Sequence, residues 1–370
     1  MRVLQIGSDR SKRGILFPAT PAALRQKAYA QKFGHLDIVG FSLKSDGAKR
    51  YSEGKLAVYP TQSASRLSYG LDALRIARSL PKPDVVSVQD PFESGLVAWF
   101  IARRLRVPLH AQVHTDFLSP EYSRHSTLNR IRVCIARFVL PRASGVRVVS
   151  SRIADSLQAA GCKLKIAPSV LPIFADIEKF KNVPQDAALA ARFSSFEYKI
   201  LVVSRLEPEK EVALAVSSFA ESAPKDSCLI IVGDGRERAT LEALAARLGV
   251  SHRVFFEREK DAAPYYALAD IVLVTSRYEG YGLVIVEALA RAVPVLSTDV
   301  GIAREAGAII TTPDKFADAL SEWFKDGPRM GELKNYPYKS FAEYVSAYCE
   351  DIMSCAAFSG TRNAVPSRGS

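Results

Sequence analysis

Residues 270–301 constrain this chain more than any other stretch. Asp270-Ile-Val-Leu-Val-Thr275 is short, apolar and β-branched, the pattern of a strand buried on both faces of a parallel sheet. A Gly-punctuated turn follows, Ser276-Arg-Tyr-Glu-Gly-Tyr-Gly282, and then helix-favouring residues from Leu283 to Ala292. Pro294 ends the helix, and Val293-Pro-Val-Leu-Ser297 reads as the next strand. In such strand–turn–helix–strand units the free N–H groups and dipole at the helix start attract anions, above all phosphate. Gly280 and Gly282 allow positive φ and close approach of backbone to a ligand. Two carboxylates bracket the turn, Glu279 in the loop and Glu287 eight positions later. Carboxylates there repel phosphate, so they make sense if they hold hydroxyls or a developing cation, which points to a sugar. The competing reading is a plain βαβ unit with two solvated glutamates.

The same alternation runs through the chain and defines an α/β class. Arg2-Val-Leu-Gln-Ile6 is a first strand, and Gly7 opens a loop carrying Arg10, Lys12 and Arg13. That loop matches neither the dinucleotide fingerprint nor the P-loop. Strands are expected at 35–42, 55–59, 84–88, 108–113 and 145–149, with helices at 21–33, 67–80, 96–105 and 127–139. Asp90 and Glu93 follow one strand, and His114 and Asp116 another. Ligands of open α/β sheets bind outside the carboxyl ends of strands, which makes these four candidates. Its position alone favours reading His114 as a surface or core histidine with a satisfied hydrogen bond. A second βα series starts at Lys199, with turns at Ser204–Lys210 and Gly233-Asp-Gly235. Arg205 and Lys210 end one strand and the Glu279 turn ends another. If these strands are parallel neighbours, two cations and a helix N-terminus share one edge and can neutralise a diphosphate.

The chain has 370 residues, enough for two domains, and 48% are apolar. The net charge of +11 is unevenly placed. Residues 1–195 hold 30 Lys and Arg against 14 Asp and Glu, and residues 196–370 hold 20 against 25. The basic half favours an anionic partner: a phosphorylated acceptor, an anionic membrane surface or nucleic acid. Nucleic acid is the least supported, because no RNP-type aromatic motif, zinc finger or basic tail is present. The five cysteines are scattered without a C-x-x-C pair, which fits neither zinc nor a disulfide framework and suits a reducing cytosol. No apolar run approaches the length of a membrane span.

Val203-Ser-Arg-Leu-Glu-Pro-Glu-Lys210, Val232-Gly-Asp-Gly235 and Glu279-x7-Glu287 together resemble the core motifs of the retaining glycosyltransferases of GT-B fold, family GT4. Thr298-Asp-Val-Gly301, Gln89-Asp-Pro-Phe92 and His114-Thr-Asp-Phe117 fit the same pattern. The resemblance implies two Rossmann-like, doubly wound parallel-sheet domains facing an interdomain cleft, with the C-terminal helix crossing back. The expected division is an acceptor-side domain 1–176, a linker 177–196, a nucleotide-sugar domain 197–338, a returning helix 339–358 and a disordered tail 359–370. By resemblance, Arg205 and Lys210 bind the donor diphosphate and stabilise the leaving nucleotide. Glu279 contacts the transferred sugar, and Glu287 holds the ribose hydroxyls. Backbone amides of Tyr281, Gly282, Leu283 and Val284 meet sugar and phosphates, with Gly233, Gly235 and Gly280 also on the donor side. His114 sits by the reacting face of the sugar, and Gly7 lies near donor phosphate or acceptor. Arg10, Asp90 and Asp116 are placed on the acceptor side. Two departures stand out: Gly7-Ser-Asp-Arg10 replaces a double-Gly turn, and Pro172-Ile-Phe-Ala-Asp176 replaces Pro-Asn-Gly-Val-Asp.

The chain holds no Asp-x-Asp, the motif by which metal-dependent glycosyltransferases fix a divalent ion. The expectation is therefore transfer without metal or other cofactor, from a nucleotide-diphospho-sugar to an anionic, glycolipid or lipid-linked acceptor. The expected location is the cytoplasm, with peripheral contact at the inner face of the membrane. Alternatives of the same fold are a sugar-nucleotide epimerase or a glycosyl phosphorylase. A catalytically silent nucleotide-sugar-binding protein is a third.

Overall fold

The computed structural model describes residues 1–8, 14–258 and 261–360, so Arg10, Lys12, Arg13 and residues 361–370 of the tail expected at 359–370 lie outside the described residues, while residues 359 and 360 belong to the last helix, Phe341–Gly360. The chain divides into two units, Met1–Pro172 with the segment from Ser340 onward, and Ile173–Lys339. Among the described residues no helix is long and apolar enough to cross a membrane.

The first unit is built on β1 (Arg2–Gly7), β2 (His35–Gly40), β3 (Tyr51–Glu53), β4 (Leu56–Pro60), β5 (Val85–Val88), β6 (Leu109–Val113), β7 (Gly145–Val148) and β8 (Ser169–Val170). They form one sheet in the order β3-β4-β2-β1-β5-β6-β7-β8. All pairings are parallel except β3 with β4. β3 is absent from the sequence expectation, because three residues are too few to show an alternation. Right-handed crossovers carry the helices Tyr69–Ser79, Glu93–Leu105 and Thr127–Val139 over one face of the sheet, and Pro21–Phe33 packs on the other.

That second face is also covered by the last helix, Phe341–Gly360. Tyr348 stacks on Tyr29 with ring centroids 4.3 Å apart, and Cys349 and Ile352 are fully buried. On β6, His110 Nε2 lies 2.7 Å from Asp351 Oδ2. Cys355 packs so close to Gly145 that a side chain on β7 would crowd its sulfur.

The second unit contains β9 (Tyr198–Val203), β10 (Ser227–Val232), β11 (Val254–Glu257), β12 (Ile271–Val274), β13 (Val295–Thr298) and β14 (Ile309–Thr311), ordered β11-β10-β9-β12-β13-β14 and all parallel. β10, β12 and β13 are buried along their whole length, as their unbroken apolar runs require.

The expected linker is structured. Residues 177–196 contain the helices Ile177–Lys181 and Ala187–Arg192, capped by Asp176 and Asp186 through the backbone N–H groups of Lys179 (3.1 Å) and Leu189 (2.9 Å). Phe193 is fully buried with its ring 5.1 Å from that of Phe255. The unit boundary therefore falls at Pro172, before this segment rather than within or after it. Helices of five and six residues are too short for a periodic signal, which is why the stretch reads as a linker.

Burial alone would raise the Asp351 carboxyl, but the hydrogen bond and charge of His110, with Ser169 and Arg147, hold it below the usual range. A depressed folded pKa contributes stability above the ordinary aspartate range and loses it as pH falls through the folded value. Asp351→Asn is expected to cost about 1.5–3 kcal/mol near neutrality, the loss of a charged hydrogen bond. Urea unfolding should show the gap to wild type closing in acid below the aspartate range. A pH-independent gap would contradict the charge-based origin.

Candidate active site

In the second unit the loops after β10, β9, β12 and β13 stand side by side at one sheet edge, because those four strands are consecutive neighbours and parallel. Arg205 and Lys210 follow β9, Gly233-Asp-Gly235 follows β10, and the Glu279 turn follows β12. The loops that carry Arg205, Lys210, Gly233, Gly235 and Glu279 thus lie at one edge of the sheet.

The first two loops are zipped by backbone. Ser204 N donates to Val232 O (3.1 Å), Leu206 N to Asp234 O (3.0 Å) and Glu237 N to Leu206 O (3.0 Å). A Cβ at Gly233 would overlap the carbonyl of Ser204, and one at Gly235 the carbonyl of Leu206. Gly233 also takes φ +150, which side chains rarely adopt. The observed role of these two glycines is to let the loop bearing Arg205 lie directly on its neighbour.

The β9 and β12 loops are fastened by side chains. Lys210 Nζ pairs with Glu279 Oε1, and Ser276 Oγ donates to the same oxygen at 2.8 Å. Thr275 Oγ1 donates to Lys210 O (2.9 Å), and Arg277 N to Glu209 O (2.9 Å). The Arg277 guanidinium grips Glu211 through two bonds of 3.0 and 2.9 Å. Glu211 itself adopts the left-handed region, φ +46. Arg205 pairs with Glu209 at 3.0 Å, and its side chain is 69% exposed, so it remains free to swing. Sequence reasoning did not select Glu209, Glu211 or Arg277. Their signal was a run of unlike charges in two loops, legible only once the strand order is known.

Gly282 starts helix Leu283–Ala290 with φ +95. The loop after β13 supports this turn: Ile302 N donates to Tyr281 O (2.9 Å) and Thr298 Oγ1 to Ser276 O (2.7 Å). Gly301 lies against Tyr281 O with no room for a side chain. Glu287, on the helix, accepts from Tyr266 OH at 2.8 Å. Burial pushes its carboxyl up, partly offset by that hydrogen bond and by Lys179.

In the first unit Gly7, Asp90, His114 and Asp116 follow β1, β5 and β6, adjacent strands whose carboxyl ends also share an edge. Asp90 serves its own helix, accepting from Phe92 N (3.0 Å) and Ser94 Oγ (2.6 Å), and burial raises its pKa. Asp116 is buried, with its pKa raised by burial against Arg152, and its Oδ1 has no partner. His114 Nε2 lies 3.2 Å from Gln112 Oε1. That oxygen also accepts from Arg147 Nη1 (3.0 Å), while Gln112 Nε2 donates to Tyr348 OH (2.9 Å). Arginine only donates, so this side of Gln112 is its oxygen and His114 Nε2 carries the proton. Burial, aided by Arg147, drives the imidazole down to about 3, so the ring is neutral with Nδ1 as its free acceptor. Arg147, 1% exposed in the middle of an apolar strand, was a visible sequence anomaly not singled out.

A carboxylate raised by burial destabilises the fold once it ionises, so stability is greatest below the ordinary glutamate range and is lost as pH rises through the folded value. Glu287→Gln keeps an acceptor for Tyr266 and removes the charge. Thermal unfolding should show the variant more stable than wild type near neutrality, with the gain shrinking in acid. A variant less stable at every pH would contradict this assignment.

Two family models match: residues 197–326 fit "Glycosyl transferases group 1" and residues 22–168 fit "Glycosyl transferase 4-like domain", together about three quarters of the chain. The alpha-monoglucosyldiacylglycerol synthase of Streptococcus pneumoniae is 26% identical over 73% of this chain and 65% of its own length. The GDP-mannose-dependent alpha-mannosyltransferase of Mycobacterium tuberculosis is 30% identical over 65% of this chain and 62% of its own. The chain thus spans somewhat under two thirds of these curated relatives. Among solved structures, Anabaena HepE in complex with UDP-glucose superposes with a TM-score of 0.70 at 21% identity, covering 98% of this chain and 99% of that one. Sucrose-phosphate synthase from Thermosynechococcus elongatus gives 0.69 at 17%, covering 98% of each. The two parallel-sheet units have the GT-B α/β fold, and the chain belongs to the group 1 glycosyl transferases.

Proposed function

We propose that this protein is a retaining glycosyltransferase that moves a hexosyl group from a nucleotide-diphospho-sugar to a glycolipid or lipid-linked acceptor, without a metal. The observation that carries the reading is that Arg205 and Lys210 follow β9 while Glu279, with Glu287 on the next helix, follows its parallel neighbour β12, at one edge of the second unit's sheet. Two cations answer a diphosphate, and two carboxylates answer hydroxyls. The names of relatives support donor and acceptor classes: one is a glucosyldiacylglycerol synthase, one is GDP-mannose-dependent, and HepE was solved with UDP-glucose.

In this reading the donor diphosphate replaces Glu209 and Glu279 as partner of Arg205 and Lys210. Glu279 is thereby released to accept from sugar hydroxyls, and Glu287 accepts from the ribose. Amides of Tyr281 to Val284 meet the phosphates and sugar at the start of the helix. The bond from the anomeric carbon to the diphosphate oxygen breaks as the acceptor oxygen bonds to the same face of that carbon. The acceptor proton passes to the departing phosphate oxygen. Arg205 and Lys210 stabilise the negative charge that develops there, the electrostatic term that usually dominates. His114, held neutral by burial, can serve as a hydrogen-bonding group and not as an acid.

The test is transfer from α-linked nucleotide sugars to diacylglycerol-type acceptors in EDTA, with the product anomer read by NMR. The expected result is an α-linked product formed with EDTA present, and a rate about 10²–10³-fold lower for Lys210→Ala. A β-linked product would overturn retention, and loss of activity in EDTA restored by a divalent ion would overturn metal independence.

A further inference from the structure

We propose that the outer face of the helix layer Tyr69–Ser79, Glu93–Leu105 and Thr127–Val139, with the turn Arg66–Ser68 preceding it, docks on an anionic lipid bilayer. The proposal deepens the lipid-linked-acceptor reading above and rests on it for its purpose. The three helices lie side by side on one face of the first unit's sheet. Gly70 sits against the Val97 side chain, Arg132 Nε donates to Glu93 at 2.9 Å, and the Trp99 and Phe138 rings are 4.9 Å apart. Residues pointing away from the sheet on all three therefore share one surface.

That surface is apolar where solvent should favour polar groups. Leu67 is 95% exposed, Leu71 62%, Leu96 38%, Phe100 49%, Leu128 50% and Ile131 52%. These are six of the twelve exposed large apolar side chains among the described residues, all on one layer. Singly scattered apolar residues need no explanation, but a contiguous set marks an interaction site. Their spacing is regular: 96 and 100, and 128 and 131, each occupy one side of a helix, and Leu67 lies in the turn that leads into the helix of Leu71.

Cations complete the pattern. Segments 66–80, 93–106 and 120–142 hold eleven arginines against three acidic residues, and no lysine. The acids are already paired: Asp72 with Arg75, Glu93 with Arg132 and Glu121 with Arg124. Arg78 and Arg104 carry no such partner and lie exposed one or two turns beyond the apolar pairs. Each of these two helices thus presents leucine near its start, Leu71 or Leu96, and arginine near its end. Helix starts lie toward the carboxyl ends of the strands, the edge that holds Asp90 and His114. Apolar side chains entering the acyl boundary while arginines reach lipid phosphates is the arrangement of interfacial helices. Charge complementarity selects an anionic bilayer as the occupant.

The test is co-sedimentation of the full chain with vesicles of phosphatidylcholine alone or mixed with phosphatidylglycerol, without donor or acceptor. The proposal expects binding to the anionic vesicles only, weakened by salt. Phe100→Glu and Leu71→Glu should each reduce it at least tenfold, and Arg78→Gln and Arg104→Gln about fivefold each. Equal binding to both vesicles, no binding, or full binding by all four variants would overturn it. So would light scattering that shows a wild-type dimer made monomeric by Phe100→Glu, since the face would then join two copies. Nucleotide-induced thermal shifts on the same samples report variant folding and the donor site independently of lipid, which separates this failure from failure of the glycosyltransferase reading.

Discussion

The close approach of two loop backbones at the carboxyl end of β9 and β10 is the constraint on which the second unit's site depends. Gly233 and Gly235 lie under the carbonyls of Ser204 and Leu206 with no space for a side chain, and the loops are joined by N–H···O bonds of 3.0–3.1 Å. This fixes the path of the chain that carries Arg205. Lys210 is fixed from the other side, through Thr275 and the Glu279 pair on the β12 loop. Gly301 repeats the device under Tyr281. Three glycines thus set the site's geometry by what they allow their neighbours to do, and the charged side chains add chemistry to a frame already placed by backbone.

The cations at this edge are matched by the chain's own carboxylates. Arg205 faces Glu209 and Lys210 faces Glu279. Such pairing spares the fold from like-charge repulsion at a crowded edge and leaves partners that a diphosphate can displace, since guanidinium–phosphate contacts are strong and bidentate. The first unit uses the opposite strategy. Arg147, Gln112 and Tyr348 form a buried network with few exposed atoms, and it fixes His114 in one tautomer. Because Tyr348 comes from the last helix, the histidine's orientation depends on a segment more than two hundred residues away in sequence.

Much of this was legible in the chain. Apolar β-branched runs such as Cys228-Leu-Ile-Ile-Val232 can be little other than central parallel strands, and the strand-end motifs followed from them. Glu279 and Glu287 were readable from the Gly-punctuated turn. The β3 hairpin strand and the helices within 177–196 were not, being too short for any period. Arg277 and Glu211 were also invisible, because their partnership needs β9 beside β12, an order that residues 198–274 do not announce. The Gly-Asp-Gly turn was seen but read for its ligand-facing side; its observed work is packing against the next loop.

In the function proposed above, the edge of the second unit binds a nucleoside diphosphate by charge and helix terminus alone. Titration calorimetry of the full chain with UDP, GDP and ADP in the presence of EDTA tests it most directly. Saturable binding of one of the three, unchanged by the chelator, is the expected result. Binding of none, or binding that appears only after a divalent ion is added, would contradict it.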